Sequence, residues 1–395
     1  MSTRETFAGR VGAVVVGGEH PGLGVARSLG RRGVPVVVVD DQLSISAFSR
    51  FVSKVVRVPD LRDERTTADS LLDVGRRLDL RGWVLFPTRD ETVAAISKYR
   101  AELLDIYRVI TPIWSAVESA WDKKKTYELS EALGIPCPRT FNPRTDEDLE
   151  SLRDALPLAL KPAVKEHFFY ATHAKAWRVD TMAQLRARYA QARRYIKPEE
   201  ILLQEIIDGG GDRQFSYCAF FKEGKAHSTL LARRERQHPR EFGRAATYVE
   251  TVEVPAIEEL SARFLRAIDY YGLVEIEYKQ DPRDGRYKLL DVNARTWGFH
   301  TLGFPAGIDF PFLQFADAIG QDMLPARAAT GVGWLRFVAD IPTAWGDLLF
   351  ARLTPARYVE SLRHTQIESV YAPDDPLPSV GELALLPYQV VHKYF

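Results

Sequence analysis

The sequence predicts a mixed α/β and α+β fold, with a doubly wound parallel domain before a region of antiparallel hairpins. Residues 11–16 are an apolar run that ends in two glycines, and a helical pattern connects them to a second apolar run at 34–39. A strand, a glycine turn, a helix and a strand in this order are typical of the βαβ unit of a parallel sheet. Residues 213–253 and 270–298 instead alternate polar and apolar side chains around turn residues, which predicts antiparallel hairpins.

The length and charge of the chain narrow the classes of function. It has 395 residues, enough for two or three domains, and its 53 lysines and arginines balance 53 acids. That balance favours neither a nucleic-acid partner nor a membrane. Cys137 and Cys218 make no disulfide framework, no apolar run approaches the ~20 residues of a membrane helix, and the N-terminus lacks a signal-peptide core. We therefore expect a soluble, cytoplasmic protein.

Further βα units extend the first domain to about residue 114. Strands are predicted at 54–58 and 83–87, with a helix at 66–78 between them. The first glycines of the chain do not fit the spacing G-x-G-x-x-G, so structural glycines in a tight turn are favoured over the dinucleotide site of a dehydrogenase. Residues 88–91 directly follow a strand, where doubly wound sheets bind ligands, although a polar loop without a ligand explains them equally well.

The middle of the chain places single charges beside apolar sequence. Lys123 begins a run of three lysines in a helical pattern at 115–133, and such a run is usually a solvated face. Lys161 instead lies in the apolar strand 156–162, where a lysine is costly to bury unless it meets an anion. A second apolar strand, at 201–207, ends in a loop with three glycines.

The hairpin at 270–298 carries the densest group of polar side chains. Its first strand alternates Glu275 and Glu277 with apolar residues. Its second strand alternates three polar residues in the same way: Asp291, Asn293 and Arg295. Side chains two residues apart project from the same face of a strand. The group is either an ordinary solvated face or, because its apolar neighbours are buried, a site that binds a cation.

The length of the hairpin loop decides whether these acids can meet. A two-residue turn would put Glu277 and Asp291 on opposite faces of the sheet. A three-residue loop at 283–285, with its glycine in the left-handed region, would pair Glu277 with Asp291 and Glu275 with Asn293. We prefer the three-residue loop, because it gathers oxygen ligands of the kind that Mg2+ prefers.

The predicted hairpin at 213–253 turns at residues 223–224 and adds a run of arginines on its second strand. Arginines on a strand can hold a carboxylate or a phosphate with two parallel hydrogen bonds. We prefer Arg233 and Arg236 for this role.

In their order along the chain, these motifs resemble those of the ATP-grasp superfamily, which contains carboxylate–amine and carboxylate–thiol ligases and carboxylases. The resemblance is carried by DKKK with LGIPCPRT, by LPLALKP, by ILLQEIIDGGGD, and by EIEYK with LLDVNAR, and it spans about residues 123–295. It implies a Rossmann-like preATP-grasp domain at 1–114 and a two-lobed ATP-grasp domain at 115–321, with a small lobe at about 126–203. Residues 322–395 are an extension that could cap the active site or form a homodimer contact.

The resemblance also implies which residues bind the cofactors ATP and Mg2+, with Mn2+ as a further ion. Members of the superfamily hold metal ions with an acid on one strand and an acid-x-Asn run on the next, which here are Glu277, Asp291 and Asn293. The residues at the ATP-binding positions are Lys123, Lys161, Lys175, Gln204, Glu205, Ile207 and Asp212. The chain departs from the family pattern twice, since Asp291 stands where Glu is usual and the expected phosphate flap has no glycine between residues 161 and 179.

The activity implied by the resemblance is the ATP-dependent ligation of a carboxylate to an amine through an acylphosphate, with release of ADP and phosphate. Arg295, Lys161 and Arg233 are the predicted catalytic residues, because cations offset phosphate charge as it moves. The expected substrates are small molecules such as an amino acid or a peptide. Two alternatives are a carboxylase or carbamoyl-phosphate-type enzyme on the same fold, and a nucleotide-binding protein without ligase activity.

Overall fold

The computed structural model describes residues 9–243 and 245–394. It contains three β-sheets, and separate hydrophobic clusters pack against them. No helix in these two ranges is long and apolar enough to cross a membrane. The predicted parallel sheet of the first domain and the predicted antiparallel hairpins are confirmed.

The first sheet is parallel, and its five strands have the order β3-β2-β1-β4-β5. The strands are β1 (Ala13–Val16), β2 (Val36–Asp40), β3 (Lys54–Arg57), β4 (Val84–Pro87) and β5 (Arg108–Val109). The helices of this domain are α1 (His20–Gly30), α2 (Glu64–Leu78), α3 (Asp90–Lys98) and α4 (Arg100–Leu103). Hydrophobic side chains cover both faces of the sheet. Because the strand order reverses between β1 and β4, the carboxyl ends of these strands border a crevice that can bind a ligand.

The glycine turn after β1 has a structural explanation. Gly17 has a φ of +98°, in the left-handed region that favours glycine. A Cβ atom on Gly24 would lie 2.5 Å from Nε2 of His300, so α1 needs a glycine to pack at this point. The carboxylate of Asp40, at the end of β2, accepts a hydrogen bond from Arg89 at 2.6 Å. These contacts favour structural glycines over the dinucleotide site of a dehydrogenase.

The second sheet is small and antiparallel, with the strand order β6-β9-β7-β8. Its strands are β6 (Thr140–Phe141), β7 (Leu158–Pro162), β8 (Trp177–Val179) and β9 (Ile201–Glu205). The helices before and around it are α5 (Trp114–Trp121), α6 (Lys123–Ala132), α7 (Asp146–Ser151), α8 (Lys165–Thr172) and α9 (Met182–Ala192). The single helix predicted at 115–133 is two helices, because the side chain of Asp122 caps α6 by accepting a bond from the N–H of Lys124.

The third sheet is the largest, with the order β14-β13-β10-β11-β12-β16-β17 and with β15 paired to β11 outside this row. Its strands are β10 (Gln214–Lys222), β11 (Lys225–His238), β12 (Ala245–Thr251), β13 (Gly272–Gln280), β14 (Tyr287–Asn293), β15 (Ala326–Arg327), β16 (Gly333–Leu335) and β17 (Thr365–Glu368). The remaining helices are α10 (Ala256–Ala267), α11 (Phe310–Ala318), α12 (Phe337–Leu349), α13 (Pro355–His364) and α14 (Leu377–Tyr394). The predicted turn at 223–224 joins β10 to β11, and both of its residues have a positive φ.

The register predicted for the acid-rich hairpin, β13 with β14, is confirmed at the end that carries the acids. The pairs present there are Glu277 with Asp291 and Glu275 with Asn293. The loop itself is longer than predicted, because the N–H of Asp281 bonds to the carbonyl of Arg286. Gly285 has the predicted left-handed φ, at +70°. The longer loop shifts the register by one residue, and a bulge at Leu290 shifts it back.

The C-terminal residues are integrated into the rest of the molecule. They contribute β15, β16 and β17 to the large sheet, and α14 packs against the first domain. The guanidinium of Arg27, in α1, donates to the carboxylate of Asp375 at 2.9 Å, and both side chains are buried. The first domain is therefore joined to the C-terminal segment by helix packing and by a buried ion pair.

Candidate active site

Two adjoining cavities open beside the acid-rich hairpin. The first has a volume of about 450 Å3 and lies between the small sheet and the large sheet; we call it the lobe cavity. The second has a volume of about 350 Å3 and lies between the first domain and the large sheet; we call it the domain cavity. The side chains that line both are Lys123, Lys165, Lys175, Glu277 and Asp291.

Three buried charges form the centre of the site. A guanidinium nitrogen of Arg234, in β11, lies 3.2 Å from Glu275 and 3.0 Å from Glu277, both in β13. Burial and the charge of Glu277 raise the pKa of Glu275 to about 7. Burial acts on Glu277 too, but the positive charges of Arg234 and Lys175 outweigh it and lower the pKa of that carboxyl to about 2. At neutral pH Glu277 is therefore an anion with a buried counter-charge.

The second strand of the hairpin completes the group. The carboxylate of Asp291 accepts a hydrogen bond from Nζ of Lys123, the first residue of α6. The amide of Asn293 donates to Glu275 and Glu277, at 3.2 and 3.3 Å. The carboxylates of Glu277 and Asp291 thus lie at the junction of the two cavities, and a cation neutralises each of them.

These oxygen atoms fit a magnesium site that phosphate completes. In nucleotide enzymes, one or two carboxylates usually hold Mg2+, while water and phosphate oxygens fill the other positions. Glu277 and Asp291 supply two carboxylates from paired positions of two adjacent antiparallel strands. Within residues 9–243 and 245–394, no group of three acidic, histidine or cysteine side chains forms a metal site from protein atoms alone. Glu277, Asp291 and the amide oxygen of Asn293 are the candidate ligands.

Lys161 lines the lobe cavity from strand β7. Its Nζ donates to the hydroxyl of Tyr127 at 2.6 Å and to the side-chain oxygen of Gln204 at 2.7 Å. Burial, followed by the charge of Lys123, lowers the pKa of Lys161 well below its ordinary value. Lys175 also lines the cavity, where it donates to a backbone carbonyl, and burial lowers its pKa. Buried cations of this kind are stabilised when an anion binds beside them, as the prediction of a phosphate contact requires.

Replacing Lys161 with methionine should weaken ATP binding without weakening the fold. We expect the dissociation constant of Mg-ATP to rise by about 10- to 100-fold, because a hydrogen bond to a charged group contributes about 1.5–3 kcal/mol. The free energy of unfolding without nucleotide should stay within about 1 kcal/mol of the wild-type value, because removal of a desolvated charge offsets the loss of the two hydrogen bonds from Nζ. Nucleotide titration and urea unfolding measure these quantities. Lys124→Met is the matched control, because the side chain of Lys124 is 40% exposed and lines neither cavity, and an equal loss of affinity in both variants would contradict the assignment.

Strand β9 and the loop after it form a further wall of the lobe cavity. Three of the predicted nucleotide contacts line this wall: Gln204, Glu205 and Ile207. The side chain of Glu205 pairs with Arg283 and Lys288, and its N–H bonds to the carbonyl of residue 139, which leaves residues 206–207 as the candidates for adenine. Asp212 lies in a helical turn at 211–213 and does not line the cavity. Asp208 lines it instead, four residues earlier than the acid predicted for ribose.

The structure does not bring Arg233 to the site. Its guanidinium pairs with Glu235 at 2.5 Å on a partly exposed face of β11, and it lines neither cavity. Arg236 is structural too, because it forms a buried pair with Asp340 through two hydrogen bonds. The arginine that reaches the acids is Arg234, which the sequence did not single out. Irregular pairing in β11 between positions 233 and 236 breaks the alternation of side chains, so spacing alone could not identify the inward-facing arginine.

Arg295, the other arginine predicted to be catalytic, lies at the domain cavity. It donates to the carboxylate of Asp90 at 2.5 and 3.2 Å, and to the side-chain oxygen of Asn293 at 3.2 Å. Lys165, in α8, donates to the same carboxylate of Asp90 at 2.6 Å. Burial alone would raise the pKa of Asp90, but Arg295 and Lys165 hold it well below its usual range. Asp90 therefore connects the first domain to the small lobe and to the large sheet.

Helix α8 stands where the sequence indicated a glycine-free flap. It borders the domain cavity, and the hydroxyl of its Tyr170 donates to Glu91 of the first domain. Residues 88–91 line the same cavity, at the edge where the parallel sheet was expected to bind a ligand. Sequence reasoning missed Glu166 in this helix, because its position depends on the packing of α8 against the first domain.

Comparisons with known proteins identify relatives of low sequence identity. No family model matches the chain. The D-aspartate ligase of Enterococcus faecium (strain Aus0004) is 22% identical over 302 residues, which cover 71% of this chain and 70% of that protein. The crystal structure of an L-amino acid ligase from Bacillus licheniformis has a TM-score of 0.60 at 18% identity, over 78% of this chain and 74% of the other. A third relative is the biotin carboxylase domain of a 2-oxoglutarate carboxylase from Hydrogenobacter thermophilus, which was solved as a dimer with MgADP, ADP and bicarbonate. Its structure has a TM-score of 0.63 at 15% identity, over 81% of this chain and 73% of the other. The chain has the ATP-grasp fold.

The ATP-grasp fold confirms the predicted fold class and the resemblance on which it rested. The prediction of a ligase that forms carbon–nitrogen bonds agrees with the two amino-acid ligases among the relatives. The MgADP in the carboxylase structure agrees with the prediction that ATP and Mg2+ are the general cofactors of ATP-grasp proteins.

Proposed function

We propose that the protein is an ATP-dependent carboxylate–amine ligase that forms an amide or peptide bond and releases ADP and phosphate. The observation that carries the proposal is the junction of two cavities at Glu277 and Asp291. The lobe cavity offers lysines to a nucleotide, while the domain cavity has both cations and acids for small charged substrates. Transfer of a phosphoryl group between two bound molecules needs such a junction, because the reacting groups must be held in line.

The side chains at the junction would have different roles in the reaction. Lys123, Lys161 and Lys175 would bind the phosphates of ATP, and Arg295 would orient the substrate carboxylate. The residues that would hold the metal are Glu277, Asp291 and Asn293. Mg2+, when bound, supplies neutralisation of phosphate charge. The reaction needs no protein nucleophile, because the substrate carboxylate attacks the γ-phosphate and the amine then attacks the acylphosphate.

The finer features of the proposal concern substrates and context. Amino acids or a peptide are proposed as substrates, and the names of the two related ligases support this class. Mn2+ would accept the same oxygen ligands as Mg2+. We also propose division of the chain near residues 114 and 321, a cytoplasmic location where ATP is supplied, and a homodimer, for which the dimeric carboxylase domain is a precedent.

Two other functions have specific observations in their favour. A carboxylase would use bicarbonate as the carboxylate, and the carboxylase domain of the same fold supports it. A nucleotide-binding protein without ligase activity is supported by Asp291 in the place of a glutamate and by α8 in the place of a glycine-rich flap.

ADP release from Mg-ATP, measured against a panel of amino acids singly and in pairs, tests the proposal. Phosphate and product masses are followed in the same reactions. ADP and phosphate that appear only with a particular pair, together with a product lighter than the pair by one water, would establish the ligase and identify both substrates. ADP release with bicarbonate alone would favour the carboxylase. ATP binding without turnover across the whole panel would favour the non-catalytic alternative.

A further inference from the structure

One buried carboxylate of the domain cavity has no role in the phosphate chemistry. Glu166, the second residue of α8, is 7% exposed and lines the cavity. Its Oε2 accepts a hydrogen bond from the indole N–H of Trp121 at 3.1 Å. No described residue donates a hydrogen bond to its Oε1. A carboxylate oxygen buried this deeply needs a donor, so Glu166 is suited to a ligand that carries N–H groups.

No charged neighbour of Glu166 among the described residues donates a hydrogen bond to its Oε1. Nζ of Lys165 lies 3.5 Å from Oε1 of Glu166 but 2.6 Å from the carboxylate of Asp90, to which it is bonded. Glu91, also buried, lines the same cavity and accepts a hydrogen bond from Tyr170. Burial and the charges of Asp90 and Glu91 raise the pKa of Glu166, although Lys165 opposes them.

The domain cavity is therefore polarised. Four acids line its side near the first domain, namely Glu19, Asp90, Glu91 and Glu166, and the cations Lys165 and Arg295 both pair with Asp90. The opposite side is the junction with the lobe cavity, where Glu277 and Asp291 lie beside their own cations. A cationic group is stabilised at the acidic side, while phosphate would arrive at the junction.

We infer that Glu166 and Glu91 form the subsite for the ammonium group of the amine substrate, and that Glu166 accepts a proton from it. The inference rests on the proposed ligase function and assigns the acidic side of the domain cavity to the amine. The carboxylate to be activated would then lie towards the junction, within reach of Arg295.

The reaction requires a proton acceptor, because an ammonium nitrogen has no lone pair with which to attack. Transfer of one proton from the ammonium group to Glu166 gives a neutral amine, whose nitrogen attacks the acyl carbon of the acylphosphate. The C–N bond forms as the C–O bond to phosphate breaks, and phosphate leaves with that electron pair and with the second proton of the nitrogen. A buried carboxylate among other acids accepts the first proton more readily than an exposed one.

The variant Glu166→Gln, tested with two nucleophiles, separates this role from a structural one. Hydroxylamine is mostly uncharged at neutral pH, so it traps the acylphosphate as a hydroxamate without a proton acceptor, whereas amino acid pairs report amide formation. We expect E166Q to form hydroxamate within about 2-fold of the wild-type rate and to lose amide formation by about 10²- to 10⁴-fold, the range for general acid–base catalysis. Glu128→Gln is the matched control, because that acid is exposed on α6.

Each further outcome decides between the explanations. Glu166→Asp should restore part of the amide formation, and the rise of amide formation with pH on the acidic side should disappear in E166Q. Wild-type amide formation in E166Q, or an equal loss of hydroxamate and amide, would overturn the subsite and leave the ligase function in place. If the wild-type protein forms neither product, the proposed function fails and the subsite fails with it.

Discussion

The substitution Glu277→Gln should reduce ATP turnover by about 10³-fold and leave the fold intact. It removes one negative charge from the junction of the cavities but keeps the shape of the side chain. A bound Mg2+ would lose one of its two carboxylate ligands, so the charge of the moving phosphoryl group would be less well neutralised. The fold should persist because Arg234 keeps Glu275 as a partner. ADP release and urea unfolding measure the two effects.

The control for this variant lies in the same hairpin. Asp284→Asn removes an acid from the loop, which lines neither cavity, and should retain wild-type turnover. The Mg2+ concentration that gives half-maximal turnover should rise in Glu277→Gln and stay constant in Asp284→Asn. Unchanged turnover in Glu277→Gln would remove this residue from the metal site.

The pairing of Glu277 with Asp291 could be predicted because one face of the hairpin is buried. A slip of one residue would turn the acids into the hydrophobic core and the apolar residues into the site, so only one register satisfies both faces. The loop could not be predicted from this argument. A longer loop and a bulge at Leu290 have opposite effects on the register, and the alternation of side chains near the acids is the same with or without both.

The inward-facing arginine and the acidic side of the domain cavity could not be predicted, since they depend on irregular pairing and on long-range packing. Arg233 and Arg234 are adjacent in sequence, and the irregular pairing of β11 decides which of them meets the acids. Lys165 and Asp90 are separated by 75 residues, and they meet only when α8 packs against the first domain. Short motifs identify residues that bind a ligand through local structure, but they do not predict contacts between segments that are distant in sequence.

Replacing Asp90 with asparagine should lower the free energy of unfolding substantially. Asp90 holds Arg295 and Lys165, so its loss leaves Arg295 without its paired carboxylate and leaves Lys165 only the longer contact with Glu166, at 3.5 Å. Removal of one partner from a buried ion pair costs about 3–5 kcal/mol, and we expect about 3 kcal/mol at pH 7 because solvent still reaches part of these side chains. Glu64→Gln breaks the partly exposed pair with Lys98 and should cost less than about 1 kcal/mol in the same urea unfolding experiment.

The difference in free energy of unfolding between wild type and D90N should depend on pH, and this dependence identifies its cause. The two cations hold the pKa of Asp90 well below its value in the unfolded chain. A carboxylate of this kind contributes its full stability above its unfolded pKa of about 4 and loses it progressively as the pH falls. The free energies of unfolding of wild type and D90N should therefore converge as the pH falls below about 4, and a difference that is constant with pH would argue against the ion pairs as the cause. Because Asp90 also joins α8 to the first domain, D90N should expose α8 to proteolysis at neutral pH, and the wall of the cavity that carries Glu166 would open with it.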